Sequence, residues 1–480
     1  MTRPARPDQP QWTELVFRLL PFADAASVDL PLPRLLRLAL FQVSVGMAMV
    51  LLNGTLNRVM VVELGTPTWL VALLIAVPLL VAPFRALIGH KSDTHRSVLG
   101  WRRVPYIWFG TMMQFGGLAI MPFALLLLGL PDRFTLGLVA ATAAFLLTGT
   151  GFHVTQTAGL ALATDLAPED KRPRAVALLY VMLLVGMMFA AFVIGGFLAD
   201  YSPERLVQVI QGCAVLTIVL NVTALWKQEA RNPAATAPDR ETPNFRALWQ
   251  AFIRSGRNAR LLIAIGIGAA GFAMQDALLE PYGGEILGLS VGATTGLTGA
   301  WALGSLCGFM LSGRALGRGW DPLRLAGAGL VIGINAFLLV LFAGPFSAPL
   351  MLYAGATTIG VGLGLFSVGT LMEAMSLAQE EGAGLALGAW GAVQATCAGL
   401  GIAVGGLLRD GIAALLQSGE PAAASMAMRA SGYASVYVLE IALLLAGLAA
   451  IGPLVGHQRR LSPEAEDPLS QPFGLREFPT

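Results

Sequence analysis

The sequence is short of charge. Aspartate, glutamate, lysine and arginine make up 12% of its 480 residues, whereas water-soluble domains carry about a quarter. So little polar material cannot coat a soluble globule, and 55% of the residues are hydrophobic before the 56 glycines are counted. Cysteine is almost missing. Cys213, Cys307 and Cys397 stand far apart inside apolar runs, which excludes a disulfide framework and a cysteine–histidine metal cage. The 31 basic and 29 acidic residues nearly cancel to a net charge of +2, so nothing pulls the chain toward an anionic polymer, and nucleic acid is not an expected partner. There is no GxxxxGK[ST] phosphate loop and no HExxH pair, and serine, histidine and acid fall in no catalytic arrangement. The chain is not expected to be an enzyme. Its mean hydropathy of +0.68 marks an integral protein of the lipid bilayer.

A hydrocarbon core about 30 Å thick takes roughly 20 apolar residues per helix. Twelve runs meet that length: 35–63, 68–89, 104–130, 134–163, 174–199, 205–227, 259–281, 290–312, 323–344, 348–372, 384–408 and 432–456. With the N-terminus in the cytoplasm, 25 of the basic residues fall in inner segments and four, Arg133, Arg205, Arg409 and Arg429, in outer loops. That asymmetry predicts that both termini are cytoplasmic. The chain then divides into a cytoplasmic segment 1–34, a six-helix bundle 35–227, a cytoplasmic linker 228–258, a second six-helix bundle 259–456 and a cytoplasmic tail 457–480. Phe245, Leu248, Trp249, Phe252 and Ile253 in the linker recur at helical spacing beside Arg246 and Arg254. Trp12, Leu15, Val16 and Leu19 repeat the pattern more briefly. Both stretches read as amphipathic helices lying on the bilayer.

The two bundles are related in sequence. Leu166-Ala167-Pro168-Glu169-Asp170 after span four matches Leu377-Ala378-Gln379-Glu380-Glu381 after span ten, at an offset of 211. Glu63-Leu64-Gly65 at the end of span one stands opposite Glu285-Ile286-Leu287-Gly288 at the end of span seven, at an offset near 222. Two parallel six-helix repeats joined by a cytoplasmic loop constitute the major facilitator fold, an all-α integral membrane architecture of twelve helices. The loop after span two agrees: Gly89 precedes Asp93, followed by Arg96, Arg102 and Arg103. The glycine permits close helix approach, and the acid and bases can meet neighbouring helix ends.

Polar groups at membrane depth are costly, so each is a candidate for function. Span one carries Asn53, Asn57, Arg58 and Glu63, and its repeat partner carries Gln275, Asp276, Glu280 and Glu285. The repeat sets Arg58 against Glu280, either as a buried ion pair closing the outer side or as two residues reaching separately for the outer interface. In span four, Gly151-Phe152-His153-Val154-Thr155-Gln156-Thr157 holds the one histidine within a span. His153, with Gln156, is either a ligand for a metal or for the magnesium of a chlorin, or a proton relay, or a histidine hydrogen-bonded between helices. The repeat puts Gly364 in its place, and Gly360, Gly362 and Gly364 are expected to leave room opposite it. Glu373 is expected at a solvated helix end, and Asp165 to pair with Lys171, Arg172 or Arg174.

Five stretches resemble the PucC/LhaA family, the bacteriochlorophyll-associated branch of the major facilitator superfamily in purple phototrophs. They are LLNGTLNRVMVVELG at 51–65, RALIGHKSDTHRSVLGWRRVPYIWFGTMMQFGG at 85–117, GFHVTQTAGLALATDL at 151–166, QDALLEPYGGEILG at 275–288 and MSLAQEEGAGLALGAWGAVQ at 375–394. The likeness runs from about residue 15 to the end of span twelve, and length and N-terminal extension look closer to LhaA. The resemblance implies an assembly factor for light-harvesting antenna, the light-harvesting 1 core complex in the LhaA branch. It implies bacteriochlorophyll as cofactor, antenna polypeptides as partners with bacteriochlorophyll synthase and the insertion machinery beside them, and an intracytoplasmic photosynthetic membrane as location. The alternatives are a transporter moving a small solute or pigment by alternating access, and a scaffold holding neither.

Overall fold

The computed structural model describes residues 25–27, 30–80, 92, 101–168, 171–230, 256–381, 383–416 and 424–455. Within them the chain is helical and has no strand. In chain order the long helices are α1 (Leu32–Glu63), α2 (Thr68–Leu80), α3 (Val104–Leu128), α4 (Phe134–Leu166), α5 (Arg172–Phe197), α6 (Pro203–Leu225), α7 (Gly256–Glu285), α8 (Val291–Gly317), α9 (Pro322–Ala343), α10 (Pro349–Glu381), α11 (Ala383–Leu416) and α12 (Ala424–Ile451). Ten of them are long and apolar enough to cross a membrane. The other two are α2, whose described part is short, and α8, whose apolar character is diluted by threonine, serine and glycine. Of the expected features, the amphipathic stretches around Trp12 and Trp249 and the loop residues Gly89, Asp93 and Arg96 lie outside the described residues.

The repeat is visible in the backbone. α1 ends on Gly65 at φ 63° and α7 on Gly288 at φ 64°, a left-handed turn that glycine adopts without steric cost. Neither helix is regular. α1 widens into π-type turns over Val50–Leu56 and Val59–Glu63, and α7 tightens into a 3-10 turn over Met274–Ala277. Such interruptions free backbone groups that neighbouring helices must satisfy, and they mark places where a membrane bundle does more than span.

Small residues set how closely the helices pack, because lipid gives apolar side chains no reason to prefer one another. In the N-terminal half Gly151 lies directly on the backbone of α3 at Gly110 and Gln114. In the C-terminal half Gly360 lies on the carbonyl of Trp301, Gly364 lies on that of Ser305, and Gly362 lies on that of Gly329. The space these three glycines were expected to leave opposite His153 is therefore occupied by the backbones of α8 and α9. Glycine here serves close helix approach and leaves no room for a ligand.

The face where α1 and α7 end is the far face, opposite the end at which α1 begins. The halves meet there: Gly195 of α5 packs on Gly292 of α8, Gly406 of α11 on Ala72 of α2, and the Trp69 amide donates to Asp410 Oδ2 at 2.8 Å. A Cβ at Gly360 would run into the Trp301 carbonyl, whereas one at Gly116 would meet nothing within 4 Å. Gly360→Ala should therefore cost about 1–3 kcal/mol of stability and Gly116→Ala almost none, read as unfolding midpoints in detergent. Equal midpoints for the two variants would contradict the α8–α10 packing.

Candidate functional site

In the N-terminal half one set of buried polar groups forms a neutral network. Ser44 Oγ donates to Asn221 Oδ1 at 2.7 Å, Asn221 Nδ2 to Thr111 Oγ1 at 2.9 Å, and Gln114 Nε2 to the Ser44 carbonyl at 3.1 Å. Gln156 Nε2 joins α4 to α1 by donating to Gln42 Oε1 at 3.3 Å. His153 is 8% exposed, with its ring against Phe152 at a centroid distance of 4.6 Å. His153 and Gln156 therefore sit within one turn of α4, where Gln156 is committed to α1. Of the groups in this network, only Gln156 was singled out from sequence.

The irregular turns of α1 and α7 face each other. Asn57 Nδ2 donates to the Asn53 carbonyl at 3.0 Å and across the seam to the Asp276 carbonyl at 3.3 Å. The Thr55 and Thr295 hydroxyls meet at 3.1 Å, and Arg58 Nη2 donates to the Leu289 carbonyl at 3.2 Å. The expected ion pair between Arg58 and Glu280 is absent. Arg58 instead pairs with Glu63 of its own helix, and Glu280 accepts from Thr298. The reason is stagger: Glu280 lies against Gly54, and Arg58 lies one turn farther along, against Gly284. Arg58 and Glu280 are 5% and 3% exposed, so the alternative of two side chains reaching for the interface is not seen either.

A second charged group closes the far face of the C-terminal half. Arg409, expected in an outer loop, lies within α11 and is 8% exposed. It pairs with Glu285 of α7 and with Asp410 at 2.6 Å, and its guanidinium lies 4.6 Å over the Tyr433 ring. Tyr433 in turn donates to Glu285 Oε2 at 3.2 Å. Deeper in the same interface, Gln275 bonds to Asp276, and Glu440 of α12 is fully buried beside them. Glu440 was legible as an acid between Leu439 and Ile441 in the middle of span twelve, yet sequence reasoning passed over it.

At the opposite face Arg102 and Arg103 meet a neighbouring helix end, as expected of the loop bases. Asp165 accepts from Arg102 at 3.2 Å and Arg103 at 3.0 Å, while Lys171 donates to the Ala26 carbonyl. Glu229, beyond α6, accepts from the backbone amides of Arg102, Arg103 and Val104 and caps the start of α3. This capping brings Arg102 and Arg103 beside the end of α4, within reach of Asp165. Glu373, expected in solvent, is 3% exposed and pairs with Arg257 at 2.5 Å.

A cavity of about 450 Å³ opens on the flank between α7, α9 and α12, lined by groups such as Tyr282, Ile286, Phe342, Ala434 and Tyr437. Its wall is almost wholly apolar and contains no histidine or carboxylate. No group of three or more metal-ligating side chains occurs among the described residues.

Among solved structures with this arrangement are several transporters. A bacterial homologue of the human lysosomal transporter Spinster, in an inward-facing, unoccupied conformation, superposes with a TM-score of 0.64 at 17% identity, over 87% of this chain and 95% of that one. The nucleoside transporter NupG gives 0.60 at 15% identity, over 87% and 98%. These likenesses define the fold as that of a major facilitator membrane protein. Sequence is more specific. The family model described as PUCC protein matches residues 55–459. Protein PucC of Rhodovulum sulfidophilum is 55% identical over 82% of this chain and 89% of its own. A Rhodobacter capsulatus protein described only as an uncharacterised protein in the puhA-bchM intergenic region is 51% identical over 97% and 98%. The chain belongs to the PucC family, and membership implies a role in photosynthetic complex assembly.

The Arg409–Glu285 pair is buried, so removing one partner strands the other. Arg409→Met should cost about 3–5 kcal/mol, and Arg409→Met with Glu285→Leu should recover most of it. Thermal unfolding of the two variants in detergent reads the difference. A single variant as stable as the parent would contradict the pairing.

Proposed function

We propose that this protein assists assembly of light-harvesting antenna, that of the light-harvesting 1 core complex, by binding bacteriochlorophyll and chaperoning antenna polypeptides along its bilayer-facing exterior. Membership of the PucC family across most of the chain carries this reading. The core-antenna branch draws support from coverage: the relative matched over 97% of this chain is not among those named PucC. A further relative is named bacteriochlorophyll synthase 44.5 kDa chain, at 28% identity over 87% of this chain. That name supports bacteriochlorophyll synthase as a neighbour, with the insertion machinery beside it. The positive-inside asymmetry supports cytoplasmic termini in the intracytoplasmic photosynthetic membrane.

Bacteriochlorophyll, when bound, supplies a flat magnesium macrocycle with a long apolar tail. His153, nearly buried with its ring against Phe152, is the candidate magnesium ligand on the N-terminal side. The flank cavity fits an apolar group, with Tyr282, Phe342 and Tyr437 as its walls. Aromatic side chains also stand out from the bundle, including Phe189, Phe192 and Phe197 at 67%, 58% and 66% exposure on one side of α5. Ridges of this kind suit an apolar helix or a pigment edge better than a polar solute. None of these contacts involves a chemical step, and the role proposed is non-catalytic.

Transport by alternating access is a second reading, favoured by the interrupted α1 and α7 meeting at the centre of the seam. Deleting the gene in its phototrophic host separates the two. Assembly predicts a several-fold loss of the near-infrared core-antenna band, with pigment synthesis intact. A normal antenna complement, together with loss of solute uptake in membrane vesicles, would replace assembly by transport.

A further inference from the structure

α12 turns three fully buried polar side chains toward α7, namely Tyr433, Tyr437 and Glu440, at spacings of one turn. α7 answers with Glu285 and Tyr282, and then with Gln275 and Asp276 where its helix tightens. The rungs touch: the Tyr282 ring lies 5.3 Å from that of Tyr433 and 5.5 Å from that of Tyr437. At the far face the column ends on Arg409, and every acid there has a partner. At its inner end the column closes differently. Here α12 packs on the 3-10 turn of α7, which sets the fully buried Glu440 beside the Gln275 backbone and close enough to the Asp276 carboxyl for the two charges to oppose each other. Among the described residues only the Gln275 backbone approaches its carboxyl, without well-formed hydrogen-bond geometry, and no lysine or arginine there forms an ion pair with it.

The groups around this site account for the other charges. Glu280 of α7 is bonded to Thr298 of α8, and Arg58 of α1 is paired with Glu63. Arg409 of α11 is taken by Glu285 and Asp410. Arg260 of α7 bonds the Ala450 carbonyl, about 15 Å along α12 from Glu440 at 1.5 Å per residue. α9 brings only Arg324, at its opposite end. The repeat-related interface of α1 with α6 is built from Ser44, Asn221 and Thr217, all neutral and hydrogen-bonded. Among the described residues, the α7–α12 interface places two carboxyls near each other without a cation paired to either.

A lone carboxylate in an apolar interior costs several kcal/mol and is neutralised in practice. Two facing carboxyls cannot both carry charge there. We propose that Asp276 and Glu440 form a proton-binding site, in which Glu440 holds the proton and partly exposed Asp276 is its route to water. The Asp276 carbonyl also accepts from Asn57 of α1, so the residue that exchanges the proton also helps hold the seam between the halves. Releasing the proton would leave two facing charges at that seam.

Infrared difference spectroscopy of the full-length protein in lipid, stepped from neutral to alkaline pH, tests this directly. The account expects a protonated-carboxyl band that disappears with rising pH and is missing from Glu440→Gln. Asp276→Asn should retain the band and move the pH of its loss. Persistence of the band in folded Glu440→Gln would overturn the assignment. Should that variant not fold, dicyclohexylcarbodiimide, which consumes protonated carboxyls in apolar surroundings, can be used on the unaltered protein. Labelling at Glu440 that fades at alkaline pH supports the site. No adduct at Glu440, or labelling abolished by sodium, would overturn it, the latter in favour of a bound metal cation.

Discussion

Within a bilayer the polar groups of a helix have only other protein groups to bond, because no water stands in reserve. The two halves of this chain meet that constraint in different ways. The N-terminal half closes a neutral network around Ser44, Thr111, Gln114 and Asn221. The C-terminal half places acids on α7 and α12 and one arginine, Arg409, at their far end. Where α1 and α7 depart from regular helix, the Asn57 side chain of α1 reaches the Asp276 carbonyl of α7, and beside them Thr55 of α1 meets Thr295 of α8. The seam between the halves depends on those exchanges, and so does the position of every polar residue near it.

The architecture was largely legible in the sequence, because its signals are physical and local. Apolar run length sets the helices, basic residues set the expected orientation, and Glu63-Leu64-Gly65 against Glu285-Ile286-Leu287-Gly288 exposed the repeat that the matching left-handed glycines bear out. Contacts were less legible. An offset of 222 makes Arg58 and Glu280 equivalent, but equivalence under a pseudo-two-fold is not proximity, and a one-turn stagger parts them. Glycine was ambiguous for a similar reason. Gly360, Gly362 and Gly364 signal equally an open space and a helix pressed close, and only the positions of α8 and α9 decide between them. The reach of Arg102 and Arg103 to Asp165 was hidden, because a cap such as Glu229 on α3, more than a hundred residues away, leaves no local trace. Glu440 needed no structure to be noticed, since an acid inside an apolar span is itself the signal.

The same frame that carries solutes in its structural neighbours is put here to a different proposed use. Transporters of this fold place function on the central path. In this chain the described polar groups along that path are mostly engaged with one another, while the exterior offers aromatic ridges and an apolar flank cavity. A protein that handles apolar polypeptides and pigments within the membrane needs contact surface on its outside more than a route through its middle. A protonatable pair at the seam is compatible with that use, because it can tune how firmly the halves are joined without opening a passage.

The most direct test is to lock the seam and ask whether assembly continues. In a variant lacking Cys213, Cys307 and Cys397, Thr55→Cys and Thr295→Cys would place two thiols where the hydroxyls now meet at 3.1 Å, within reach of a disulfide. The account predicts that the cross-linked protein still supports a normal level of core antenna in its phototrophic host. Loss of antenna on cross-linking, with recovery on reduction, would contradict it and make alternating access the working principle.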